Sequence, residues 1–568
     1  MVNSMSWLER IRKIDFTRVV WILISALLVY LVLTPVIYMF YEALTTETGK
    51  FTLDNFVKTF QRKRISQALI NTIVVSVGVS VLGALIAVPL AFGVSRTNMR
   101  GKALVRSAVI VSIITPPFLV TMSYIILAGP NIGYLNVLLR KLFNLTTDYG
   151  PINVYTLFGL IVLAIPSSVA YVFLQTAPAL ENMDPSLEES ARMVGANPLR
   201  TVLKVTLPLV KPAILSGMLL SFSAQVASYG VPHMLNINVL TIAIREALLM
   251  QLNFKSAAVL SVLVISMSLA VLAIYRYIIR SGKMYQTVSA RGFRPSVMKL
   301  GRSRHIFTVL GVVYSLFAFL LPYGTLIAVS FLKTVGHGFR LSNFTLKNYV
   351  TAFSLQLPRV AFLNSTVLAL STATIVVVIA IVAGSIIVRT KLRGRAVLDY
   401  LSALPLGIAG TALAAGLIMM YLMPLSFLNI YGTLWILLIG YVTRFLPLGM
   451  RHCQTALLQV APDLEEASRM TGANWLTTMR KITVPLVKNG VLYAWILVFV
   501  QSFSELSVSV LLRNVGTDVM STAILDMWDG SARMPVATAM GAVVFLLITF
   551  LIVLAQKLTG RSLLESSN

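Results

Sequence analysis

The chain has 568 residues, 57% of them apolar and only 12% charged, and its lysines and arginines exceed its aspartates and glutamates by 47 − 20 = 27. Such a composition excludes a water-soluble globular domain and predicts an all-α polytopic membrane protein embedded in a lipid bilayer. In a soluble chain the basic excess would point to nucleic acid. Beside long apolar runs it points instead to basic cytoplasmic loops, and no nucleic-acid partner is expected.

In chain order, a polar start (Glu9 to Arg18) leads into an apolar run too long for a signal-peptide core, which reads as a true membrane anchor. Apolar runs of about 20 residues predict about 12 transmembrane helices. In the first half these cover 19–41, 70–95, 104–127, 153–175, 212–230 and 256–279. In the second half they cover 306–330, 364–389, 397–422, 433–452, 490–509 and 536–556. The stretch GPNIGYLN after the third run reads as a re-entrant or a periplasmic segment.

One polar stretch occurs twice, as DPSLEESARMVGANPLRTVLKVTLPLVKP from Asp184 and DLEEASRMTGANWLTTMRKITVPLVKN from Asp463, at a constant offset (466 − 189 = 277). In the first copy Asp184 is an N-cap and Pro185 suits the first helical position. Leu187, Ala191 and Val194 form a narrow apolar stripe expected to lie against the membrane face, and Glu188 stands four residues before Arg192 as an i, i+4 ion pair. Gly195 can end the helix in the left-handed conformation, Asn197 caps a second helix, and Pro208 and Pro212 break the chain again. The second copy repeats this plan with Glu465 and Arg469, Gly472 and Asn474. The shape predicted is helix, glycine turn, helix, on one side of the bilayer.

Two further pairs repeat: RTNMRGKALV from Arg96 with RTKLRGRAVL from Arg389, and TLDNFVKTF from Thr52 with TLKNYVTAF from Thr345, both at 389 − 96 = 293. The chain is therefore two parallel six-helix repeats, 1–280 and 306–568, joined by a basic linker, 281–305. The basic loops and the linker fall on the side of both repeated polar stretches, making that side cytoplasmic and placing both termini there, although Arg62, Lys63 and Arg64 fall on the other face.

At these stretches the chain resembles the permease subunits of binding-protein-dependent ABC importers of the type I fold, whose EAA motif reads Glu-Ala-Ala, Gly six residues after the Glu, then Ile-x-Leu-Pro. The copies here read Glu189-Ser190-Ala191, Gly195, Val205-Thr206-Leu207-Pro208 and Glu466-Ala467-Ser468, Gly472, Ile482-Thr483-Val484-Pro485. The resemblance implies that Glu188, Glu189, Ala191, Gly195 and Pro208, with Glu465, Glu466, Gly472 and Pro485, couple to two copies of an ATP-binding subunit. Those subunits would use ATP and Mg; this chain would bind no cofactor itself. It also implies a periplasmic or extracellular solute-binding protein, a place in the bacterial inner membrane, and a fusion of two six-helix chains into one. The layout, with ITPPFLVTMSYIILAGPNIGYLN from Ile114, looks most like the iron(III)-importer permeases. Relatives of the same layout move thiamine, phosphonates or phosphorylated sugars and acids.

The chain has no G-x-x-x-x-G-K-[ST] loop and no catalytic constellation, so it reads as no enzyme. A single cysteine, Cys453, and four scattered histidines (His233, His305, His337, His452) predict no metal site; His233 and His337 read as isolated surface residues, with periplasmic metal contacts as the alternative. Glu505 falls inside the eleventh run, where an ionised group must be paired or wetted; it reads as lining a translocation pathway with Ser504, or as the partner of Arg444. Gln225, Ser228 and Tyr229 hold the matching place in the first half, as pathway lining or as interhelical hydrogen bonds. An ion-coupled secondary transporter would instead predict inverted repeats or mid-membrane relays.

Overall fold

The computed structural model describes residues 16–282, 298, 300–530 and 533–559. Among these, ten helices are long and apolar enough to cross a membrane: Arg18–Leu44, Lys63–Arg96, Leu157–Glu181, Pro198–Val226, Phe254–Ile278, Gly301–Ser330, Gln356–Arg389, Leu434–Leu458, Trp475–Phe503 and Met534–Leu558. The runs expected as continuous spans over 104–127 and 397–422 are instead bent pairs, Lys102–Ile114 with Pro117–Ala128 and Arg395–Gly407 with Gly410–Leu422, each turning by 107°. The reason is local. Pro116 has no N–H to donate and forces Thr115 into the extended region (ψ 144°), while Pro117 starts a fresh helix. In the second half Ile408 and Ala409 are extended and Gly410 restarts the helix. The total reaches twelve when each bent pair is taken as one span.

At four other prolines the helix widens rather than ends. Four five-residue π turns, Val29–Leu33, Val202–Thr206, Leu316–Leu320 and Met479–Thr483, each finish two residues before a proline: Pro35, Pro208, Pro322 and Pro485. The residue after each turn donates its N–H five residues back, so the chain stays helical although the proline cannot bond to the carbonyl four residues before it. The expected chain break at Pro208 and Pro212 is thus replaced by one continuous helix, Pro198–Val226.

The two halves interlock through their first helices. Tyr30 bonds the hydroxyl of Tyr421 (2.5 Å), and the Thr443 hydroxyl donates to the Leu31 carbonyl (3.3 Å), so the first helix packs on the second half. Reciprocally, Tyr124 donates to the Phe317 carbonyl (2.7 Å), Tyr314 to that of Pro166 (3.4 Å), and Tyr323 bonds Thr115, so the seventh packs on the first half. The ends of these swapped helices are held by one repeated asparagine. Asn55 Nδ2 donates to the Ala43 and Thr45 carbonyls, and Asn348 Nδ2 to those of Ser330 and Leu332.

Most of the linker 281–305 lies outside the described residues. Met298 is buried and pairs with the backbone beside Thr97, its N–H donating to the Arg96 carbonyl at 2.8 Å. Arg304 already begins the α-helix of the second half.

Candidate functional site

Both repeated stretches fold as helix, left-handed glycine, short helix. In the first, the Asp184 carboxylate accepts from Ser186 N (2.9 Å) to start Pro185–Met193; Gly195 turns the chain at φ +87°, and Asn197 accepts from Arg200 N (2.8 Å) to start the next helix. In the second, Asp463–Met470 is followed by Gly472 at φ +84°, and Asn474 accepts from Thr477 N (2.8 Å).

In the first copy the ion pair expected between Glu188 and Arg192 gives way to a longer-range one. Glu188 turns inward to Arg96, with Nη2 2.7 Å from Oε2, while its Oε1 accepts from the Thr206 hydroxyl (2.7 Å). Arg96 and Glu188 are both buried. Glu465 makes the equivalent pair with Arg389 at 3.2 Å, and Thr483 donates to it at 3.0 Å. Arg389 also donates to the Leu457 and Val460 carbonyls at 2.7 Å each. A buried acid facing a basic group four residues away on an exposed turn gains less than one facing a buried guanidinium, because water screens the first pair and not the second.

The apolar stripe does not lie against the protein's own membrane helices. Leu187 is 45% exposed, Val194 85% and Met193 88%, with Met470 88% in the second copy; Ala191 is half-buried. Glu189, Gly195 and Pro208, and likewise Glu466, Gly472 and Pro485, are also exposed. Each helix–glycine–helix unit is thus a knuckle whose inward face is an acid–arginine tether and whose outward face is apolar with one exposed acid. Exposed apolar side chains in a polar setting mark a surface built for a partner.

The second group of residues gathers at the ends of the fifth and eleventh spans. Glu505 lies beyond the helix end at Phe503, not inside a span, because its carboxylate accepts from Ser507 N, Val508 N and Ser509 N (3.1, 2.9 and 3.3 Å) in place of helical bonds. It pairs with Arg444 Nε at 3.1 Å. Ser504 folds back onto the Val500 carbonyl (3.1 Å). In the first half Gln225 Nε2 donates to the Ser167 hydroxyl (3.4 Å), the Ser228 carbonyl accepts from Thr241, and Tyr229 is buried and stacked on His233 (5.2 Å between centroids). His233 Nε2 lies 3.5 Å from Asp529 of the second half. Among the described residues no three His, Cys, Asp or Glu side chains group as a metal-ligand set.

Residues 65–282 and 376–564 match the family described as the inner membrane component of binding-protein-dependent transport systems. The chain belongs to that family. The permease carries the domain twice, once in each half. It is similar to a Haemophilus influenzae protein named for ferric transport, 28% identical over 88% of this chain and 77% of the relative. It is also similar to the ferric transport system permease protein of Actinobacillus pleuropneumoniae, 26% identical over 96% and 78%. A Salmonella typhimurium protein named for 2-aminoethylphosphonate transport is 26% identical over 45% of the permease and 90% of its own length. A solved bacterial alginate ABC transporter in complex with a pentasaccharide-bound periplasmic protein overlaps 46% of the permease and 97% of its own chain, with a TM-score of 0.35 and 20% identity.

The permease is thus a multi-pass membrane subunit of a bacterial ABC importer family. Its tethering arginines escaped the sequence reading, which took Arg96 and Arg389 only as loop charges. The signal was present, since Arg96 and Glu188 both recur in the second repeat, as Arg389 and Glu465, but Arg192 recurs as well, as Arg469, so recurrence alone does not choose between the two partners.

Proposed function

We propose that the permease forms the complete membrane pore of an importer that carries ferric iron into the cytoplasm, driven by ATP hydrolysis in two separate subunits and fed by a periplasmic binding protein. The observation that carries this reading is the duplicated tether. Each repeated knuckle offers an exposed apolar face outward and is joined inward, through Glu188–Arg96 or Glu465–Arg389, to the end of a 34-residue helix, Lys63–Arg96 or Gln356–Arg389. At 1.5 Å per residue such a helix is about 50 Å long and crosses the bilayer as one rigid rod. A motor subunit that moves a knuckle by its apolar face moves the rod with it, because separating the buried charges is costly. Two motors closing together would draw the two rods, and with them the two halves, between inward-open and outward-open arrangements.

Each knuckle would dock one ATP-binding subunit through Glu189, Gly195 and Pro208, or Glu466, Gly472 and Pro485, with Glu188, Ala191 and Glu465 supporting them from behind. ATP and Mg would be bound by those subunits. Gln225, Ser228, Tyr229, Ser504 and Glu505 are the proposed pathway residues, a reading supported by Tyr229 stacking on His233, which reaches Asp529 of the other half. Both knuckles then face the cytoplasm. Ferric iron as cargo is supported by the names of the relatives that match most of the chain. A phosphonate is the second reading, favoured by the Salmonella relative. The deciding experiment is uptake into proteoliposomes holding the permease, its ATP-binding subunits and its binding protein. ATP-dependent accumulation of ⁵⁵Fe supports the first reading, and accumulation of 2-aminoethylphosphonate alone would replace it with the second.

A further inference from the structure

The two repeats differ in length, and the difference is confined to one place. Ala128 and Tyr421 still stand at the offset 421 − 128 = 293, whereas Thr156 and Thr433, which cap the next spans, stand at 433 − 156 = 277. The first half therefore carries 293 − 277 = 16 extra residues between its bent helix pair and the span Leu157–Glu181. They build a nine-residue helix, Tyr134–Leu142, where the second half has only the three-residue turn Ser426–Leu428. A single span separates this helix from the first knuckle, so it lies on the other side of the bilayer from that knuckle.

One face of the helix is fastened to the protein. Asn136 is buried; its Nδ2 donates to the Ala128, Gly129 and Ile152 carbonyls, and its Oδ1 accepts from Ile152 N at 3.0 Å. Tyr134 donates to the Val335 carbonyl of the other half (2.8 Å) and packs on Phe339, with 5.0 Å between ring centroids. Arg140 donates to the Asp148 and Asn131 carbonyls at 2.7 Å each. The opposite face is bare. Leu138, Lys141 and Leu142 recur at i, i+3 and i+4, with the two leucines 60% and 68% exposed. Phe143 (64% exposed), Leu145 and Tyr149 extend this apolar surface into the loop that follows.

The bonds that fasten the helix also fix its height. Val335 is 335 − 330 = 5 residues beyond the span end at Ser330, and Ile152 is 157 − 152 = 5 residues before the span start at Leu157. The span Leu157–Glu181 has 25 residues, about 37 Å at 1.5 Å per residue, against a hydrocarbon core of about 30 Å. Leu157 therefore stands at the level of the lipid headgroups. Phe158, the next residue, is 70% exposed on the surface of the span, where only lipid can cover it. The bare face of the helix continues that surface at the height where hydrocarbon gives way to headgroups. Its chemistry also fits lipid better than a soluble protein, because leucine and lysine are both scarce among the anchors of protein interfaces. We propose that Tyr134–Leu142 is an interfacial helix seated in the bilayer leaflet opposite the knuckles. Leu138, Leu142 and Phe143 lie among the upper acyl chains, and the Lys141 ammonium reaches the phosphates. The helix ties the first half, and through Tyr134 a loop of the second, to the membrane surface. This inference goes beyond the importer reading and holds whatever the cargo.

The test uses the full-length permease in vesicles of phosphatidylethanolamine and phosphatidylglycerol. A nitroxide is attached at Leu142→Cys or, separately, at Phe143→Cys, so that a variant that does not insert leaves the other to be read. Glu47→Cys, at an exposed loop position, is the aqueous reference, and the unsubstituted chain is labelled to measure any reaction at the buried Cys453. Power-saturation EPR compares collisions with oxygen, which concentrates in lipid, and with a nickel chelate, which stays in water. The oxygen-to-nickel ratio at both labelled positions should be several-fold above the reference, as for side chains about 5–10 Å into the headgroup and acyl boundary. A ratio equal to the reference places the face in water and overturns the proposal. Low collision with both reagents, whether in the vesicles alone or only after a purified periplasmic binding protein is added, shows that protein covers the face and overturns it as well.

Discussion

Arg96 and Glu188 stand 92 residues apart in the chain and 2.7 Å apart in space, both withdrawn from solvent, and Arg389 and Glu465 repeat the relationship at 3.2 Å in the other half. A motif known to the sequence as a surface feature is thereby anchored to the end of a transmembrane rod. The anchoring bears directly on how force would pass from a motor to the pore.

Removing one partner of such a pair leaves the other charge buried and alone. Glu188→Ala should destabilise the first knuckle by about 3–5 kcal/mol. The expected result is lower ATP-subunit retention in a pull-down, with the spans still inserted. A double-mutant cycle with Arg96→Ala should show strong non-additivity; additive losses would mean that the two side chains act independently.

The two tethers should not be equally sensitive. Arg389 also donates through Nη2 to the Leu457 and Val460 carbonyls and leaves Nε as its one nitrogen buried without a hydrogen-bond partner among the described residues, whereas both Nε and Nη1 of Arg96 are so left. Glu465→Gln should therefore impair ATP-driven uptake less than Glu188→Gln, since Arg389 keeps acceptors that Arg96 lacks. Equal losses from the two variants would show that the carbonyl contacts contribute nothing.

Gly195 and Gly472 turn the knuckles at φ +87° and +84°, and an added Cβ would meet no atom within 4 Å at either. Any penalty for a side chain is then conformational, about 1–2 kcal/mol per residue for a left-handed L-residue. Gly195→Val with Gly472→Val should leave membrane insertion intact while abolishing ATP-subunit binding. A double variant that still pulls down its partner subunits would remove these glycines from the coupling role.

Asn348 is buried and donates to the Ser330 and Leu332 carbonyls at 2.9 and 2.7 Å; Asn55 is half-buried and makes the matching pair at 3.1 and 2.9 Å. Asn348→Ala should lower stability by about 1–3 kcal/mol by leaving helix-end carbonyls unpaired, and Asn55→Ala by less, because water reaches that end. Thermal unfolding of the purified permease measures both.

Much of this protein was legible in the letters alone. Long apolar runs must become helices in a bilayer, since no water is there to satisfy an exposed backbone, and the duplicated stretches disclosed the two-fold plan and the glycine-turned knuckles. Caps and turns such as Asp184, Asn197 and Gly195 also follow from local chemistry that needs only a few neighbouring residues. What local chemistry cannot specify is the partner of a side chain across distant segments. Glu188 could satisfy Arg192 in an isolated helix, and only the approach of the Lys63–Arg96 rod offered it a better, drier counter-charge. The same holds for the reciprocal packing of the first helices, for the 107° bends, one of which brings Gly410 beside Arg444, and for the pairing of Arg444 with Glu505. Those were decided by tertiary structure, because the strength of a charge or a hydrogen bond depends on how much water the rest of the fold leaves around it.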